Sequence, residues 1–66
     1  MDQLKFNLSE IDLNKVLEEL FKKEAISKIL PLPEIGYQCI YCISSNVSVR
    51  IKKIEENLFE YLLEVE

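Results

Sequence analysis

Residues 54–65 read IEENLFEYLLEV, and the fold turns on whether they form a helix or a strand. On a helix, Ile54, Leu58, Tyr61, Leu62 and Val65 fall on one stripe, and the Leu and Glu content suits that state. On a strand, Phe59, Tyr61, Leu63 and Val65 share one side against Glu60 and Glu64, with Leu62 as the misfit. Glutamates also crowd the end of the would-be helix, where the macrodipole prefers cations. Stripe and composition together favour a C-terminal helix over about 54–65, with a third antiparallel strand at 58–65 as the alternative. A further reading runs backward, because Val47, Ile51, Ile54, Leu58, Tyr61 and Val65 repeat at alternating spacings of four and three. That heptad-like seam would make 46–65 one long helix.

The segment upstream decides between these readings only in part. Tyr37–Ile43 (YQCIYCI) is rich in aromatic and β-branched residues, and Val47, Val49 and Ile51 alternate with Ser48, Arg50 and Lys52. Ser44, Ser45 and Asn46 between them are turn formers. The pattern predicts a β-hairpin with strands at about 37–43 and 47–53.

Pro31, Pro33 and Gly36 punctuate the stretch before the hairpin. Ahead of it, Ser9 followed by Asp12 has the form of a capping box, with Leu8 and Leu13 placed to form a hydrophobic staple. Leu13, Val16, Leu17, Leu20 and Phe21 then make one apolar stripe opposite Lys15, Glu18, Glu19 and Lys22. The stripe fails at Glu24, and a second apolar set (Ile26, Ile29 and Leu30) lies nearly opposite on the wheel. An amphipathic helix over about 10–29 therefore either breaks near Lys23–Glu24 or buries two faces. At the start, Leu4, Phe6 and Leu8 alternate with Lys5 and Asn7, as in a short strand or an extended arm. The expected fold class is α+β in a single small domain, 1–66.

Composition narrows the function. A chain of 66 residues supports one small and marginal core. It is 48% hydrophobic with one Gly, so it is not a disordered tail. Small domains usually recover stability from disulfides, metals or oligomerisation. With two cysteines and no histidine, oligomerisation is the expected route. The start MDQLKFNLSE carries no basic and apolar leader pattern, and no apolar run approaches a membrane span. A cytoplasmic location and no membrane partner follow as expectations.

Cys39 and Cys42 form the one motif that suggests chemistry. On a strand, residues three apart face opposite ways with α-carbons roughly 10 Å apart, beyond the reach of about 7 Å that a disulfide allows. A zinc site would need four thiolates drawn from two chains and a knuckle in place of a strand. No histidine can serve as a base, the serines lie at caps and turns, and the lone Gly36 cannot build a phosphate loop. The sequence thus predicts no catalytic residues, no metal ligands and no cofactor.

Net charge is −4, which disfavours general affinity for phosphate backbones. A basic hairpin with Arg50, Lys52 and Lys53 beside Tyr37 or Tyr41 is the best case for nucleic-acid binding. The stronger expectation is a non-catalytic protein-interaction module, because the apolar residues exceed what one small core can hide. The candidate interface comprises Ile26, Ile29, Leu30, Ile40, Ile54, Leu58, Tyr61, Leu62 and Val65. Glu55, Glu56, Glu60 and Glu64 are the candidate acidic face toward a partner. A homodimer that occludes or bridges another protein is the leading reading, with a small nucleic-acid-binding regulator or a purely structural oligomerisation module behind it. Small acidic α+β chains rich in Ile, Leu, Lys, Glu and Asn also occur among phage and mobile-element accessory proteins, including inhibitors of bacterial defence systems. That parallel is one of class alone.

Overall fold

The structure, a computed structural model, describes residues 2–66. It is a small α+β fold of one helix and a four-stranded antiparallel sheet. The elements run β1 (Asp2–Leu8), α1 (Glu10–Lys22), β2 (Gln38–Cys42), β3 (Val47–Glu55) and β4 (Leu58–Val65). Their order across the sheet is β1-β4-β3-β2. The C-terminal strand is therefore central, and the N-terminal strand forms one edge.

The hairpin expected at 37–43 and 47–53 corresponds to β2 and β3. The C-terminal helix expected over 54–65 does not form, and neither does the long helix over 46–65. Residues 58–65 are β4, the fourth strand in sequence because the N-terminal segment is a strand as well. The cause is non-local. Phe59, Tyr61 and Leu63 lie opposite Lys53, Ile51 and Val49 on β3 and opposite Leu8, Phe6 and Leu4 on β1. Two flanking strands satisfy β4's backbone on both sides, which outweighs a helix propensity of a few tenths of a kcal/mol per residue (roughly).

Helix α1 also stops earlier than expected, at Lys22 rather than near residue 29. Glu24 adopts φ 59°, the amide of Ala25 donates to the carbonyl of Leu20, and that of Glu24 donates to Phe21. This pair of bonds is the Schellman motif, here with glutamate where glycine is usual. Ile26, Ile29 and Leu30 consequently sit in the connection to β2 and not on a second helix face. Glycine meets no Cβ penalty in the left-handed region. Glu24→Gly is expected to raise stability by up to about 1 kcal/mol, after the added freedom of the unfolded chain is subtracted. A higher urea midpoint at unchanged slope would verify it.

The helix start follows the sequence closely. The Ser9 hydroxyl accepts from the amide of Asp12 at 3.3 Å and donates to its carboxylate at 3.1 Å. The amide of Glu10 donates to Asn57 Oδ1 at 2.9 Å, pinning the helix to the β3–β4 turn. Leu13 and Leu17 are fully buried against Val49, Ile51, Phe59 and Tyr61, while Ile26 from the connection packs into the same core with Tyr41. All of this core lies on one side of the sheet.

Candidate interaction surfaces

Strand alternation and register assign every outward side chain to one of two places: the face opposite the core, or the margin of the core face that α1 leaves bare. The open face has three rows running across the strands. One is Lys5, Leu62, Arg50 and Ile40; the second is Asn7, Glu60, Lys52 and Gln38; the third is Gln3, Glu64, Ser48 and Cys42. Lys5 pairs with Glu60 at 3.3 Å and Arg50 with Glu64 at 3.3 Å. Leu62, the misfit of the alternation, is half-buried between Lys5 and Arg50, whose aliphatic stems suit such a neighbour. The open face is thus charge-balanced around one leucine.

This arrangement redistributes the expected acidic surface. Glu60 and Glu64 are half-buried in ion pairs, whereas Glu55 and Glu56 are exposed at the β3–β4 turn. The four do not form one acidic face. The basic hairpin divides as well. Arg50 and Lys52 face the open side, Lys53 lies on the core side 5.6 Å from the Phe59 ring centroid, and Tyr41 is buried. Of the proposed stacking rings only Tyr37 is exposed.

The nine candidate interface residues scatter too. Ile26 and Tyr61 are core residues, a correction to their assignment as free surface. Leu30 is half-buried, and its amide donates to the Tyr41 hydroxyl at 2.7 Å. Leu58, Leu62 and Val65 are half-buried on β4. Ile29, Ile40 and Ile54 are exposed, but on the connection, on the open face and at the bulge between Lys53 and Glu55, respectively. The fold brings no three of these exposed or half-buried side chains into one patch of the kind expected.

Cys39 and Cys42 lie on a strand, not a knuckle, with Cys39 half-buried on the core side and Cys42 exposed on the open side. Burial pushes the Cys39 thiol above its ordinary value of 9.0, so it is less reactive than a free thiol. Among the described residues no three metal-ligating side chains converge. No helix is long and apolar enough to cross a membrane.

The site that sequence reasoning missed is β1. Leu4 is 56% exposed and Phe6 49%, although they lie on the core side opposite Leu63 and Tyr61. The Phe6 and Tyr61 rings are 6.2 Å apart and tilted by 51°, so one side of Phe6 is packed and the other is bare. Helix α1 starts one residue beyond its N-cap neighbour Leu8, over the Leu8–Phe59 end of the pair, and leaves Leu4 and Phe6 uncovered. The outer backbone edge of β1 has no partner strand among the described residues. The opposite edge differs: Ile26, Ser27, Lys28 and Leu30 of the connection line a shallow cleft with Ile40 and Tyr41 along β2. The alternation of Leu4, Phe6 and Leu8 signalled a strand, but nothing local signalled that the helix would leave its first half bare.

The chain matches no known protein family, no curated protein and no solved structure.

Proposed function

We propose that this chain is a non-catalytic protein-interaction module that binds a partner protein along the edge of β1. The observation that carries this reading is the coincidence of an unpaired seven-residue strand edge with two half-exposed apolar side chains, Leu4 and Phe6. Edge strands are normally blunted by proline, bulges or inward charge. β1 has no proline, its register with β4 is unbroken, and its lysine points to the other side, toward Glu60. An added strand would satisfy the outer amides and carbonyls, and alternate side chains would rest on Leu4 and Phe6. Such a module acts by occluding or bridging what it holds.

Selection from a displayed library of random ten-residue peptides tests this. Extended sequences with alternating apolar residues are expected to be enriched. Their affinity is expected to fall at least about tenfold with Phe6→Lys, which places a charge on the strip, and to be unmoved by Ile40→Lys on the open face. Binders that respond to Ile40→Lys and not to Phe6→Lys would refute the β1 site, as would a library that yields none.

A further inference from the structure

We infer that the strand received at this edge is β1 of a second copy of the same chain, paired antiparallel about a two-fold axis at Phe6. The inference rests on the β1 reading above and adds the identity of the partner and the register. Two copies of one strand can meet antiparallel in only a few registers that keep like faces together. With the axis at Phe6, that ring meets Phe6 of the second copy, Leu4 meets Leu8 of the second copy, and Lys5 meets Asn7 of the second copy. Every apolar residue then faces an apolar residue, and the one cation faces an amide. With the axis at Lys5, the two lysines oppose each other, which is unfavourable directly across a strand pair. With the axis at Leu4, Asp2 is set against Phe6 of the second copy. Only the Phe6 register is self-complementary in both charge and hydropathy.

The geometry adds a second argument. Ser9 caps α1, and the chain leaves the sheet at Glu10, so in the Phe6 register pairing can run from Gln3 to Ser9 before the helix interrupts it. The product is one continuous sheet of eight strands, four from each copy, with both helices on the same side. Phe6 and Leu4 of the two copies close over each other at the seam, which is the part of the core face that α1 leaves bare. The contact is a single strand pair and belongs to the small, reversible class of interfaces, so the dimer is expected at protein concentrations of roughly 10–100 μM.

The test combines sedimentation with register-specific cross-linking. In a Cys39→Ala, Cys42→Ser background, copies carrying Lys5→Cys are mixed with copies carrying Asn7→Cys and oxidised. The Phe6 register predicts that disulfides form mainly between the two variants, whereas the Lys5 register predicts linkage of Lys5→Cys to itself and would overturn the assignment. Separately, Asn7→Lys sets two lysines opposite Lys5 across the seam while placing a cation beside Glu60 within each copy. It should leave folding intact and weaken the dimer roughly threefold to tenfold. A strict monomer up to about 500 μM, far above the concentration range of such small contacts, overturns self-pairing. If library peptides still bind in a Phe6-dependent way, only the self-partner is lost; if none bind, the β1 site falls with it.

Discussion

Phe59→Ala is expected to leave much of the protein unfolded at 25 °C. Phe59 is 1% exposed at the centre of the core, opposite Leu8 on β1 and Lys53 on β3. Truncating a buried phenylalanine costs about 3–5 kcal/mol, against a total of about 3–10 kcal/mol for a domain of this size. The loss also frees Lys53, whose ammonium lies over the ring. Ile54→Ala, at the exposed bulge, should change stability by less than about 0.5 kcal/mol. The contrast is diagnostic, since a C-terminal helix would bury Ile54 and expose Phe59. Urea denaturation followed by circular dichroism separates the two outcomes.

Tyr41→Phe should cost about 1–3 kcal/mol while removing only one oxygen. The ring is buried, and its hydroxyl accepts the amide of Leu30, the one hydrogen bond that ties residues 26–33 to the sheet among the described residues. Without it the half-buried amide has no acceptor, so the connection carrying Ile26, Leu30 and Leu32 should loosen from β2. The same phenol responds to pH. Burial raises Tyr41 above its ordinary 10.0, the Leu30 amide opposes that rise, and Cys39 adds to it; burial raises Tyr61 and Cys39 likewise. All three are held neutral in the fold, so this stabilising contribution is complete below the ordinary values of 9.0 and 10.0. It is lost as pH climbs through the raised ones. Stability should therefore decline above pH 9, and less steeply in Tyr41→Phe. Urea midpoints measured across that range provide the check.

Local signals in the chain were read successfully where the chemistry is itself local. Ser9 and Asp12 mark the start of α1, and the aromatic and β-branched run before Ser44–Asn46 marks the hairpin. The end of α1 was less legible because Glu24 occupies a position that glycine usually announces. The failure of the apolar stripe at that residue was the available clue. The last segment misled for a different reason. Its glutamates look like helix formers, but Glu60 and Glu64 are partners for Lys5 and Arg50 on neighbouring strands. Leu62 looks misplaced until those same two cations flank it. Such pairings span up to 55 residues of sequence, as between Lys5 and Glu60, and no window along the chain contains them. The β1 surface escaped notice for the related reason that exposure of Leu4 and Phe6 depends on where α1 lies.

The most direct measurement for the central claim is residue-resolved amide hydrogen exchange as a function of protein concentration. If β1 is the binding edge and receives a second copy, every other amide in Asp2–Leu8, those pointing away from β4, should be unprotected in dilute protein. Those amides should gain protection as concentration rises, while the amides of β2 stay unchanged. Protection that grows instead along β2 or across the open face, or that is independent of concentration throughout β1, would contradict the account.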